Sequence, residues 1–208
     1  MQRIIDIFIF NPNQPLLFNQ YFFLGFFTLS FAGYTLVYKK ITVRNIYLLV
    51  FSLFFYYKCS GFYFFLLLFS TAVDYYIGFG INAAKAQWEK RLYLFTSLIS
   101  NLGLLAFFKY SYFLVDVINS WFGTSFKAIN FLAVFANGTF GANFDILEII
   151  LPVGISFYTF QTLSYSIDIY RGKIEPCNNI FDFAFFVSFF PQLVAGPIVR
   201  ASEFLPQI

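Results

Sequence analysis

"PLLFNQYFFLGFFTLSFAGYTLVY", residues 15–38, runs for 24 residues without a charged side chain. At 1.5 Å per residue, a helix of that length reaches about 36 Å. That is enough to cross a hydrocarbon core of about 30 Å with some tilt. Five more apolar segments follow, at 46–57, 62–80, 92–114, 149–169 and 180–199. The whole chain is 60% hydrophobic and only 11% charged. Soluble domains carry about 25% charged residues, so a core of 208 residues in water has no way to hide this much apolar surface. The pattern predicts an all-α polytopic membrane protein with about six transmembrane or re-entrant helices in one domain, 1–208.

The segment 46–57 is short for a crossing, and the basic residues arbitrate. If all six segments cross, one side holds Lys39, Lys40 and Arg44, then Lys85, Lys90 and Arg91, then Arg171 and Lys173. Those are eight of the thirteen basic residues. The positive-inside rule then places these loops in the cytoplasm and the N-terminus outside. Residues 4–10 form a short run, apolar apart from Asp6, with no small-residue cleavage site after it, so no signal peptide is expected and the first span, 15–38, serves as an uncleaved anchor. The net charge of +3 is scattered between apolar runs. That argues for topology signals and for lipid as a partner, and against a nucleic-acid surface. The linker 119–147 falls outside in this topology. "FLAVFA" (131–136) within it lies in the interface or dips into protein, and Asn137-Gly-Thr is a glycosylation sequon that matters only in a eukaryotic secretory pathway.

Several chemistries are absent. Cys59 and Cys177 have neither disulfide-framework nor metal-ligand spacing, and the chain contains no histidine. The commonest metal ligand and general base are therefore both missing from these residues. No metal site and no bound cofactor are expected.

Polar groups within apolar runs are costly in lipid, so they face protein or a water-filled cavity. "LPVGISFYTFQTLSYSIDIYRGK" (151–173) places Phe157, Gln161, Ser164, Asp168 and Arg171 at alternating i+4 and i+3 steps along one helical face. Asp168 and Arg171 are spaced to pair. One reading of this stripe is interhelical glue with a snorkelling Arg171. The other is the wall of a hydrated tunnel admitting a polar ligand from the cytoplasm. Asp74 lies near the cytoplasmic end of its span, where helix-end packing or an ion pair is expected. Asn101 and Lys109 share "NLGLLAFFKY" (101–110), and Lys109 reads as an interfacial anchor. "FFPQLVAGPIVRASEFLPQI" (189–208) adds Pro191, Gly196 and Pro197 at membrane depth. Broken backbone survives there only inside protein or along a cavity. Gln192, Ala195, Gly196, Pro197 and Arg200 are therefore candidate lining residues, against the alternative of an ordinary kinked helix.

The blocks 101–110, 151–173 and "FVSFFPQLVAGPIVRASEFLPQI" (186–208) resemble the membrane-bound O-acyltransferase family, in its alginate O-acetyltransferase-like branch. "RNIYLLVFSLFFYY" (44–57) and "VDYYIGFGI" (73–81) fit the N-terminal pattern of that branch. The resemblance implies a helical bundle around a central tunnel. It implies acyl transfer from a cytoplasmic donor, acetyl-CoA or a related acyl carrier, toward an exopolysaccharide such as alginate. It also implies extracytoplasmic polysaccharide-modifying partner proteins. The family's catalytic His has no counterpart here. The resemblance thus marks the chain as an N-terminal part of such an enzyme, with no catalytic residue of its own and inactive alone. The end at Ile208, just after a motif, fits a truncation. The tunnel or substrate-binding candidates are Gln161, Ser164, Asp168, Arg171, Gln192, Gly196, Pro197 and Arg200. Arg171 and Arg200 suit anionic groups such as donor phosphates. A channel or transporter subunit is the competing reading, because broken helices also serve substrate paths.

Overall fold

The computed structural model describes residues 10–11, 15–16, 18–141, 144–193 and 196–208. Ala195 and the apolar run before residue 10 lie outside them. The described residues form helices and no strands. In chain order these are α1 (Tyr21–Val37), α2 (Ile41–Ser60), α3 (Phe64–Ala83), α4 (Gln87–Phe122), α5 (Phe131–Phe140), α6 (Ile155–Tyr170), α7 (Ile180–Ser188), α8 (Phe190–Leu193) and α9 (Ala201–Phe204). Two helical stretches, Ile41–Ala83 and Gln87–Phe122, are long and apolar enough to cross a membrane. The short segment 46–57 lies inside the 20-residue α2. Its apolar run looked short because Arg44 and Lys58 interrupt the hydropathy without interrupting the helix. The first run, 15–38, is helical only from Tyr21.

The chain forms two compact units, Met1–Asn101 with Val153–Ile208, and Leu102–Pro152. In the first unit, α3 packs most extensively on α6, and α2 on α7. Phe55 and Phe190 are buried with ring centroids 5.3 Å apart, and Phe26 packs on both at 5.8 and 5.6 Å. Edge and offset contacts of this kind add to area burial by about 0.5–1.5 kcal/mol per pair. The outward faces stay apolar: Phe27 and Phe31 on α1, Phe65 and Phe69 on α3, Leu92, Phe95 and Ile99 on α4 are all exposed. In water such continuous apolar faces would drive association. Against acyl chains they cost nothing, and this is a membrane protein.

Local chemistry sets the breaks. α2 stops at Gly61, whose φ of +57° turns the chain into a short 3-10 turn, Gly61–Tyr63. The apolar segment 180–199 does not form one span. A continuous helix through Pro191 would lose a hydrogen bond to the Val187 carbonyl and clash with it. The chain instead leaves helical geometry at Phe189 (ψ 105°) and restarts, so Pro191 falls in the first turn of α8. The N-cap of α7 is Asn179, whose side chain accepts from the Phe181 N–H at 3.0 Å.

In the second unit, α5 covers the predicted interfacial segment. Asn130 caps it by accepting from the Ala133 N–H at 3.1 Å, and donates through Nδ2 to the Glu148 carbonyl at 2.9 Å. The sequon residue Asn137 sits within α5, and its Nδ2 donates to the Phe144 carbonyl at 2.8 Å. Lys109 is exposed with its ammonium 5.5 Å from the Tyr110 ring.

Candidate functional site

Three polar pairs, each four residues apart, sit on otherwise apolar helices: Ser70 and Asp74 on α3, Ser97 and Asn101 on α4, Thr162 and Ser166 on α6. Each pair presents two polar groups on one helical face. The fold brings all six together, and all six are buried. Asp74 Oδ1 accepts from the Ser97 hydroxyl at 2.6 Å and from the Ser166 hydroxyl at 3.4 Å. Its Oδ2 accepts from Asn101 Nδ2 at 2.7 Å. Asn101 Oδ1 in turn accepts from Thr162 at 2.9 Å and Ser70 at 3.3 Å.

This junction corrects the expectation for Asp74. It is the eleventh of α3's 20 residues, not a helix-end group, and its hydrogen-bond partners among the described residues are hydroxyls and an amide. Asn101 belongs to the same junction, joining α4 to α3 and α6. The network is saturated, since Asp74 accepts throughout and every side-chain donor around it is used. Saturated networks rigidify and position helices; they leave nothing over for a ligand.

The predicted stripe on α6 lies beside this junction and is graded. Phe157 is half-buried, and Gln161 is buried at 1% exposure with neither amide atom bonded. Ser164 is half-buried; it donates to the Gln161 carbonyl at 2.7 Å and accepts from the Ala201 N–H at 3.3 Å, which seats α9 against α6. Asp168 is 4% exposed. Its ion pair is not with Arg171, as the spacing suggested, but with Lys173 at 3.8 Å. Arg171 caps the C-terminus of α6, where the chain turns at Gly172 and the Lys173 N–H returns to the Asp168 carbonyl at 2.9 Å. That turn carries Lys173 back over Asp168 and leaves Arg171 exposed.

In the last segment, Gln192 is buried with an unbonded Nε2. Gly196 is half-buried, and Pro197 and Arg200 are exposed. The structure therefore brings Gln161 and Gln192 into the interior and leaves Arg171, Pro197 and Arg200 on the surface. Both cysteines are free. In the loop after α6, burial pushes the Cys177 thiol up, which disfavours the thiolate an acyl-transfer nucleophile needs. Among the described residues no cluster of His, Cys, Asp and Glu forms a metal site. Asp74 at the junction is committed to three donors. The site is a hydrogen-bonded scaffold with unmatched amides at Gln161 and Gln192.

No family model matches the sequence, and no solved structure does. Curated proteins do match. The chain is 36% identical over 204 residues to the probable alginate O-acetylase of Pseudomonas aeruginosa, covering 96% of this chain and 34% of that protein. It is 32% identical over 231 residues to the peptidoglycan O-acetyltransferase of Helicobacter pylori, covering 98% of this chain and 40% of that protein. To the probable alginate O-acetylase of Azotobacter vinelandii it is 35% identical, covering 96% of this chain and 36% of the relative. Along nearly its whole length, then, this chain is similar to bacterial alginate and peptidoglycan O-acetyltransferases, and it spans little more than a third of the length of each.

Proposed function

We propose that the chain forms part of a membrane O-acyltransferase that moves acetyl groups from a cytoplasmic donor toward an extracytoplasmic polysaccharide such as alginate. The similarity over 96–98% of the chain to proteins named as O-acetyltransferases carries this reading. The fold is compatible with it, having a rigid junction at Asp74 and buried, unbonded amides at Gln161 and Gln192. Five segments cross the membrane in this reading, with the N-terminus outside; the sixth, 180–199, is re-entrant, broken at Phe189, and the bundle encloses a tunnel. The chain has no histidine. A hydroxyl acceptor benefits from a base with a pKa near 7, so that base comes from outside these 208 residues. The donor is acetyl-CoA or a related carrier, its phosphates met by the exposed Arg171 and Arg200. Secreted polysaccharide-modifying proteins complete the transfer.

An in-frame deletion in the host tests this. We expect O-acetyl esters on the surface polysaccharide, measured by NMR, to fall at least several-fold and to return on complementation. Complementation with the Arg171→Ala, Arg200→Ala double variant should restore less acetylation at equal membrane insertion. Unchanged acetylation on deletion would count against the assignment.

A further inference from the structure

The ends of three helices enclose a polar cavity away from the junction at Asp74. The last turn of α3, the start of α4 and the C-terminal turn of α6 meet around a space of about 300 Å3. That is the lower end of the range for small-ligand pockets. Asn82, Lys90, Tyr170, Lys173 and Glu175 bring polar groups to it, beside the apolar side chains of Ile81 and Ile169. The chain turns at Gly172, with φ +68°, and so carries Lys173 and Glu175 back beside the helix they leave. Gln87 Nε2 donates to the Tyr170 hydroxyl at 3.0 Å, which ties the start of α4 to the end of α6.

The charges in the cavity do not cancel in place. Lys173 pairs with the buried Asp168 at 3.8 Å. Lys90 and Glu175 line the same cavity, and neither takes part in an ion pair among the described residues. One cation and one carboxylate therefore face a shared space without reaching each other. The other acid at this end is committed, since Glu89 Oε2 accepts from the Lys85 and Ala86 N–H groups at 3.2 Å. Lys85, Arg91 and Arg171 are exposed and do not line the cavity.

A ligand that satisfies this arrangement carries both signs. A phosphate takes Lys90 and, as a second donor, Lys173, whose ammonium has three N–H groups and spends one on Asp168. An ammonium takes Glu175. A purely anionic group would meet the Glu175 carboxylate as a like charge. A quaternary ammonium has no N–H to offer it.

The position of the cavity names the carrier. Trp88 is 67% exposed at the start of α4, and Leu92, Phe95 and Ile99 follow it as an exposed apolar face. An exposed Trp at the edge of such a face marks the headgroup level of a bilayer. Lys90 is two residues on from Trp88, on the other side of the helix, and half-buried. The cavity thus lies at the depth of lipid phosphates.

We propose that this cavity binds the phosphoethanolamine headgroup of a membrane lipid, with Lys90 and Lys173 on the phosphate and Glu175 on the ammonium. The site is independent of the acyl-transfer reading and needs only that α4 spans the bilayer. Binding there holds the turn 171–175 and the start of α4 to one leaflet.

The test is native mass spectrometry of the full-length protein in detergent, with phosphatidylethanolamine, phosphatidylglycerol and phosphatidylcholine of the same acyl chains at equal concentration. Wild type should retain phosphatidylethanolamine about tenfold more than either of the others, which is the worth of one charge-assisted hydrogen bond. Glu175→Gln should bring phosphatidylethanolamine down to the level of phosphatidylcholine. Glu175→Lys makes the cavity cationic and should move the preference to phosphatidylglycerol. Equal retention of the three lipids by wild type, as expected of lipid that merely surrounds the protein, would overturn the proposal. So would a wild-type preference for phosphatidylglycerol, or a Glu175→Lys variant that still prefers phosphatidylethanolamine. Free O-phosphoethanolamine that displaces the lipid at equal concentration would overturn a lipid as the carrier. Glu175 is exposed, so both variants should fold, and the wild-type comparison decides even if one does not. Failure of the acetylation test above would leave these outcomes unchanged.

Discussion

Replacing Gly154 by alanine should be among the most damaging single changes in the chain. Gly154 is the N-cap of α6 with φ +75°, a left-handed conformation that costs a side-chain-bearing residue about 1–3 kcal/mol. The added Cβ would also meet the Leu193 carbonyl at 2.6 Å. That atom is backbone, so α8 must move away from α6. Gly103→Ala is the matched control, since a Cβ there meets nothing within 4 Å. In a helix interior it should be neutral or stabilising by about 0.5–1 kcal/mol. Thermal unfolding of both variants in detergent checks this. A domain of this size moves by about 2–4 °C per kcal/mol, so Gly154→Ala should lower Tm by several degrees and Gly103→Ala should not. Equal midpoints would mean that α6 and α8 do not pack as closely as described.

Asp74→Ala is the second large effect. It removes the acceptor for Ser97 and Asn101 and leaves both donors buried, at about 1–3 kcal/mol for each orphaned group. The loss is moderated because Asn101 Nδ2 also donates to the Ser97 carbonyl at 3.0 Å. Interhelical hydrogen bonds in membranes average only about 0.6 kcal/mol, so the penalty comes from orphaned partners more than from the bonds themselves. A sharper consequence follows. The combined variant Ser70→Ala, Asp74→Leu, Ser97→Ala, Asn101→Leu, Thr162→Val, Ser166→Ala removes acceptors and donors together. It should be less destabilised than Asp74→Ala alone, because a half-satisfied network is worse than an apolar contact. Denaturant titration of the two variants separates these outcomes. A combined variant worse than the single one would show that the junction contributes directly, not through its unmatched partners.

Much of the architecture was legible in the apolar runs. Helical character and the break at Pro191 follow from composition and from proline's missing N–H, whereas 131–136 stood out only as an apolar run between polar flanks and is part of a helix, Phe131–Phe140. The junction was only half legible. Its signature is three i,i+4 polar pairs on three separate helices, and a single helix gives no sign that its pair will meet the others. Asp74 looked like a helix-end acid because the apolar run ended at Gly80, whereas the helix continues to Ala83. On α6 the sequence showed the stripe through Gln161 and Asp168. The neighbouring pair, Thr162 and Ser166, faces the bundle and was missed, since hydroxyls are commonplace within apolar helices. Arg171 was matched to Asp168 by helical spacing. The helix ends at Tyr170, and the turn at Gly172 gives the pair to Lys173, a rearrangement that i,i+3 arithmetic does not contain.

The central claim, acetyl transfer, has a direct measurement. Membranes containing the full-length protein, with the secreted polysaccharide-modifying proteins of the proposal added, are supplied with acetyl-labelled donor on the cytoplasmic side and polysaccharide on the other. The account predicts alkali-labile label on the polysaccharide that disappears when the protein is omitted. Membranes with correctly inserted protein and equal label in both samples would contradict it.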